Sequence, residues 1–359
     1  MTITQLPVPP AESAVDAWHA VVTAAHGHDL PAGVPVPGRV DTEGKLRQSS
    51  VSGRTLHLVA TASDGSNEGS ADGSKGGSNE GSGGGSYDGV ASLVLFTEEG
   101  NRHTAFLDVL TVRPEARRRG VGAALWAAVR AELAADGRTS VSTVLEPGGA
   151  GEEFATGLGF ENVLPLAWYV QNIQGALAAH PEQLALPEGY TYGQWAGVVP
   201  DAFADAFAEA HKAMEDAPTG DLDERAHVWD ADRVRAAAQV IVDRGGVVLS
   251  SVVLHMADDG AVKGGATGRG EVAAYTELVL RDPSDVRAIQ YDTVVTPAHR
   301  GRGLGRAVKR HMLGTVSALQ PGVREIATTV ADDNGPMLAV NARLGYRRER
   351  PVAFFQAKL

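Results

Sequence analysis

AFLDVLTVRPEARRRGVGAALWAAVRAEL, residues 105–133, and AIQYDTVVTPAHRGRGLGRAVKRHMLGTV, residues 288–316, repeat one pattern within a single chain. Pro114 aligns with Pro297, Gly120 and Gly122 with Gly303 and Gly305. Val121, Leu125, Val129 and Leu133 align with Leu304, Val308, Met312 and Val316. Both sets step by four, so each forms one apolar face of a helix. A β-rich run precedes each proline, Leu107 to Val112 and Ile289 to Val295. Each copy therefore reads as strand, short loop, glycines and amphipathic helix.

The repeat extends downstream. A strand-like run follows each helix, VSTVLE and EIATTV, and then a short helix ending in Gly159-Phe160 or Gly345-Tyr346. The stretch around Trp168 and Tyr169 reads as the last strand of the first half. The second half opens with YTYGQW from Tyr190, then two helical stretches, PDAFADAFAEAHKAMEDA and DADRVRAAAQVIVDRG, and a strand pair. The predicted units are 1–175 and 188–359. SDGSNEGSADGSKGGSNEGSGGGS, from Ser63, cannot bury apolar surface and predicts a flexible insert over 63–89 at a hairpin tip. ADDGAVKGGATGRGE is a second Gly-rich connection at the corresponding hairpin.

The chain has 359 residues and a hydrophobic share of 43%, enough for two cores. Its net charge of −12 argues against a general nucleic-acid or anionic-membrane binder. With no cysteine, disulfides, thiolate metal sites and a cysteine nucleophile are excluded. MTITQLPVPPAES has no basic or apolar leader segment, and no apolar run approaches the roughly 18 residues of a membrane span. The expected location is the cytoplasm. There is no His-Glu-x-x-His and no Gly-x-Ser-x-Gly, so neither that metal site nor a serine hydrolase is expected.

Arg-x-x-Gly-x-Gly between a strand and a helix has a physical use. The helix N-terminus offers unpaired N–H groups and the positive end of its dipole. Glycines let an anion approach those groups, and the arginines add charge. The result is a pyrophosphate cradle, built from Arg117, Arg118, Arg119, Gly120, Val121, Gly122 and Ala123 in the first copy. The second uses Arg300, Gly301, Arg302, Gly303, Leu304, Gly305 and Arg306. The Walker pattern and the three-glycine dinucleotide fingerprint are both missing.

VRPEARRRGVG and TPAHRGRGLG, each followed by the Gly-aromatic helix end, resemble the GNAT acetyltransferase superfamily, and the two-domain layout resembles its tandem members. The resemblance implies an α/β (α+β) fold: two tandem domains, each a twisted mixed central sheet flanked by helices. It implies acetyl-CoA as acyl donor, no metal, and a small-molecule amine as acceptor. Val112, Val294 and Val295 would then lie along the pantetheine arm, and Asn334 would contact the donor from the last helix. A general base must take a proton from the amine. Asp292 and Glu277 are the candidates, and Asp108 is the first half's nearest equivalent.

The pattern departs from the family at one point. A tyrosine four residues before the Gly-aromatic pair often protonates the leaving thiolate, but Ala155 and Asn341 stand there. A thiol pKa of about 8.5 still makes thiolate a tolerable leaving group, and Tyr346 or Tyr291 are candidate substitutes. The second half, with more polar candidates, is the expected catalytic one. A non-catalytic acyl-CoA sensor or scaffold and an acyltransferase using a longer acyl donor are the competing readings. The loop MEDAPTGDLDER could steer a cationic acceptor through Glu215, Asp216, Asp221, Asp223 and Glu224, or be an ordinary solvated loop. The halves would pack as two subunits of a dimer would, in a monomer or in a homodimer.

Overall fold

The computed structural model describes residues 1–62, 86–256 and 270–359. Most of the expected insert over 63–89 lies outside the described residues. The first half runs β1 (Thr2–Gln5), α1 (Glu12–Asp29), α2 (Arg39–Arg47), β2 (Gly53–Thr61), β3 (Gly89–Phe96), β4 (Ala105–Val112), α3 (Val121–Ala135), β5 (Ser140–Leu145), α4 (Ala150–Gly157) and β6 (Glu161–Asn172). After α5 (Ile173–Ala179), the second half runs β7 (Tyr190–Ala196), α6 (Ala204–His211), α7 (Ala231–Asp243), β8 (Val247–His255), β9 (Glu271–Leu280), β10 (Arg287–Val295), α8 (Leu304–Leu319), β11 (Glu325–Ala331), α9 (Gly335–Arg343) and β12 (Arg347–Lys358).

The stepped apolar faces are buried as the spacing requires. Val121, Leu125, Val129 and Leu133 enter the first core, while Leu304, Val308, Met312 and Val316 are buried in separate clusters of the second half. Asp230 starts α7 by accepting the Arg233 N–H at 2.7 Å. Both Gly-aromatic ends are left-handed helix stops. Gly159 and Gly345 have φ of +90° and +82°. The N–H of Phe160 returns to the Ala155 carbonyl, and that of Tyr346 to the Asn341 carbonyl, both at 3.0 Å.

Among the described residues all strands join one sheet of 12, in the order β1-β2-β3-β4-β5-β12-β6-β11-β10-β9-β8-β7. Trp168 and Tyr169 lie on β6, the last strand of the first half in chain order. They do not close the first half's own sheet; they sit opposite Thr329 and Thr328 of β11. The chain's last strand, β12, lies instead between β5 and β6, antiparallel to both. The halves thus exchange their closing strands. Ala353, Phe355 and Ala357 of β12 are buried in the first core, and Ile173, next to β6, is buried in the second. Apolar residues fit either sub-sheet equally well, so spacing along the chain cannot reveal the exchange.

Both halves splay at the same place. β10 runs parallel to β11 only at Arg287, Ala288 and Ile289, and then the two part. The pairing of β10 with β9 breaks register between Gln290 and Thr293, a bulge that re-aims Tyr291 and Asp292. In the first half β4 meets β5 at Phe106 alone, and β4 is bulged against β3 at Asp108.

Candidate active site

In the second half β10 ends in a short turn, Pro297–His299, and α8 begins at a left-handed Gly303 with φ of +77°. The Ala307 N–H already bonds the Gly303 carbonyl, and α8 has no side-chain cap. The N–H groups of Leu304, Gly305 and Arg306 are therefore the orphan donors of this helix end. A cleft of about 590 Å³ opens onto them, lined by Thr293, Val294, Val295, Arg300, Gly301, Gly303 and Asn334 among others. A Cβ on Gly305 would stand 3.3 Å from the Val295 side chain, so a larger residue would crowd this wall. Asn334 also caps α9 by accepting the Met337 N–H at 3.2 Å.

The arginines are less free than the sequence implied. Arg300 donates to the Val295 carbonyl and, at 2.5 Å, to Asp216. Arg302 packs over the Tyr190 ring, 5.9 Å from its centre. Arg117 makes a two-pronged contact with Asp29 at 2.7 Å per bond and also donates to the Val112 carbonyl. Arg117 and Arg300 thus each tie a strand end to a helical segment upstream. Arg118 and Arg119 are exposed.

The first cradle repeats the backbone but not the opening. Gly120 caps α3 with φ of +84°. Arg118, where the second half has Gly301, takes a left-handed φ of +61°. The cleft beside it, about 340 Å³, is lined by Val109, Leu110, Val144, Leu145 and Phe154, and by none of Val112 or Arg117–Ala123. Phe154 stands in between: its ring is 3.3 Å from the position of a Cβ on Gly122.

The two carboxylates named from the sequence are brought together. Glu277 on β9 and Asp292 on β10 flank a buried histidine that the sequence reading missed. His211 Nε2 is 3.8 Å from Glu277, and its Nδ1 is 3.7 Å from Asp292. The Tyr275 hydroxyl is 2.8 Å from the same Nδ1, and Ser250 donates to Glu277 at 3.2 Å. Burial pushes Asp292 up to about 6. Burial and then the charge of Asp292 push Glu277 up to about 8. Burial also lowers His211 to about 3, so its imidazole is neutral. Phe207 precedes His211 by one helical turn and packs edge-on against it. That i, i+4 spacing marks the core face of α6, but nothing in the sequence marks His211 as polar machinery.

Asp292 keeps 32% of its side chain exposed, Glu277 only 17%. The opening is a second cleft of about 570 Å³, which shares Met214, Ala217, Thr293, Asn334 and Met337 with the first. Its walls come from both halves: Phe106, Asp108 and Val144 face Tyr291, Asp292 and Lys309, with Trp168 and Phe354 from the exchanged strands. Asp108, expected to serve the first half, thus faces a cleft shared with the second. The acidic loop is largely engaged: Asp216 holds Arg300, Asp223 holds His103 and Ser140, and Glu224 lies 3.5 Å from His227. Glu215 and Asp221 stay exposed, so part of the loop's charge remains at the surface.

Among the proposed acids, Tyr346 is buried and donates to Gln290 at 2.6 Å, with burial raising its pKa. Tyr291 is 44% exposed in the shared cleft. Ala155 is buried apolar surface. Asn341 is buried and accepts from Lys309 at 2.7 Å. The fold also gathers His255, Glu271 and His299, distant in sequence, with ligand atoms within 4.8 Å of one another. His299 Nε2 lies 3.1 Å from Glu271.

No helix of the described residues is long and apolar enough to cross a membrane. The acetyltransferase (GNAT) family profile matches residues 81–160 and 208–346. A mycothiol acetyltransferase of Nocardioides sp. is 30% identical over 252 residues, covering 66% of this chain and 75% of the relative. Among solved structures, a tandem GNAT protein from the clavulanic acid biosynthesis pathway superposes with a TM-score of 0.75 at 24% identity, covering 99% of this chain and 98% of its own. A GCN5-related N-acetyltransferase from Sphaerobacter thermophilus gives 0.63 at 14% identity, with 99% and 95% covered. With its repeated cradles, its two splayed strand pairs and a profile match over more than half its length, this chain belongs to the GNAT acetyltransferase family.

Proposed function

We propose that the chain is an N-acetyltransferase that moves an acetyl group from acetyl-CoA to the amine of a small molecule. In this reading residues 188–359 form the catalytic unit, and residues 1–175 supply the far wall of the acceptor cleft. One observation carries it: the cleft on the α8 cradle and the cleft on Asp292 share Thr293, Asn334 and Met337. A donor gripped by its pyrophosphate at Leu304, Gly305 and Arg306 would lay its pantetheine arm along Val294 and Val295. Its thioester would then reach the junction.

The amine enters from the shared cleft and attacks the thioester carbonyl. Backbone N–H groups on the splayed stretch of β10 would stabilise the oxyanion. Asp292, raised toward neutrality and open to the cleft, takes the proton from the attacking nitrogen, directly or through water. Glu277 and His211 lie behind it. Glu277 holds a proton at neutral pH, so Asp292 carries the negative charge of the pair. The rival reading, a non-catalytic acyl-CoA sensor, is favoured by Ala155 and Asn341 at the position of the family's tyrosine acid.

Calorimetry with acetyl-CoA, followed by thiol release with a panel of amines, tests both. Binding with turnover supports the enzyme, and binding without turnover on any amine supports the sensor. If wild type binds no acyl-CoA, the cradles are ordinary turns and both readings fall.

A further inference from the structure

Lys309 is the least expected polar group in the molecule. It lies on α8, one and a half turns past the cradle, and is 3% exposed. Its ammonium donates to Asn341 Oδ1 at 2.7 Å and sits 4.4 Å from the centre of the Tyr346 ring. Among the described residues no carboxylate lies within 4.0 Å of it, and it makes no further hydrogen bond. The Asn341 Nδ2 is also buried without an acceptor. The ammonium thus has one acceptor for its three N–H groups and the Asn341 Nδ2 has none, a buried shortfall that is costly unless a ligand atom completes it. Lys309 lines the shared cleft with Gln290, Asp292 and Thr293, beside the point where β10 leaves β11.

We propose that Lys309 is the general acid of the second half, donating a proton to the sulfur of CoA as the thioester C–S bond breaks. This rests on the acyltransferase reading above. Asn341, at the place of the family's tyrosine, orients the ammonium instead of supplying the proton. The amine nitrogen bonds to the carbonyl carbon and gives a proton to Asp292. The tetrahedral centre collapses, and the C–S electron pair goes to sulfur. The proton of Lys309 follows it, giving neutral thiol and neutral amine. Solvent then takes the proton from Asp292 and restores the one on Lys309.

The energetics agree with this direction of transfer. Burial pushes Lys309 down to about 7, against about 8.5 for an ordinary thiol, so transfer to a thiolate runs downhill. The titratable groups facing it are Tyr346 from the turn between α9 and β12, Tyr291 and Asp292 from β10, and, across the cleft, Arg281 and Asp108.

The test compares wild type with Lys309→Met, using acetyl-CoA and an acetyl thioester of a low-pKa aryl thiol, whose leaving group needs no acid. Lys309→Met should lose roughly 100-fold in kcat with acetyl-CoA, the low end for general acid catalysis. It should lose less than about 3-fold with the aryl thioester, while binding acetyl-CoA as wild type does. Equal losses with both donors, or no loss with acetyl-CoA, would overturn the proposal. If Lys309→Met does not fold, Asn341→Asp serves instead. A carboxylate beside the ammonium should move the basic limb of the kcat profile to higher pH, and an unmoved limb would overturn the proposal. Wild type that neither binds nor transfers acetyl overturns the parent reading, and the role of Lys309 falls with it. Wild type that transfers while Lys309→Met matches it refutes Lys309 alone.

Discussion

The two halves share a backbone plan and differ in what fills it. Each has a bulged strand splaying from its parallel neighbour, a left-handed glycine, and a helix with unpaired N–H groups behind it. In the second half the groove runs from that helix end toward Asp292. In the first half Phe154 stands where the second has Val340, and its ring blocks the groove. Ser92 and Val109 occupy the places of Glu277 and Asp292, and Trp126 that of Lys309. One aromatic ring and these three exchanges thus leave the first half's cleft apart from its cradle and without the buried carboxylates. The lesson is that the cradle motif reports fold, whereas the side chains between the splayed strands report chemistry.

The largest effect that could break this comparison is at the carboxylate. Asp292→Asn should lower kcat by roughly 10²–10⁴-fold with little change in acetyl-CoA affinity, measured by steady-state kinetics and calorimetry. Retained turnover would move the base elsewhere. Next come the cradle glycines. Gly303→Val and Gly120→Val place a branched residue at φ of +77° and +84°, so they carry similar backbone strain. Only Gly303→Val should weaken acetyl-CoA binding, by at least about 10-fold, and equal losses would mean that both cradles bind.

A subtler probe is Phe154→Ala. Removing the ring should destabilise the first core, yet raise acyl-CoA stoichiometry from one to two, read by calorimetry at saturating ligand. Unchanged stoichiometry would show that more than Phe154 closes the first groove. The smallest effect is thermal. Glu277 is held at about 8, against 4.5 for an ordinary carboxylate. The folded state therefore keeps a proton that the unfolded chain releases, and the stability from this group is lost as pH rises from 4.5 through 8. Glu277→Gln should flatten that loss, raising Tm by a few degrees at pH 8 and by little at pH 5 in scanning calorimetry.

Much of this was legible in the sequence because helix faces and glycine turns are local. The four-residue stepping of Val121 to Leu133 and Leu304 to Val316 dictated two equivalent helices, and Arg-x-x-Gly-x-Gly dictated their exposed N-termini. Asp292 and Glu277 could be named because each lies in a strand flanking the splay. Their partner His211 could not, since it arrives from a helix more than sixty residues upstream and looks like any histidine on an apolar face.

The sequence by itself determined the family, the tandem repeat and both glycine turns, since each is written in short local stretches. Only the tertiary structure decided that β6 and β12 change places, that Phe154 closes one groove, that Arg117 and Arg300 are taken up by Asp29 and Asp216, and that Lys309 stands beside Asn341. The physical reason is common to all four. Alternation and stepping fix which face of an element is apolar, but which partner covers that face, and which buried charge meets which acceptor, is set by packing between segments far apart in the chain.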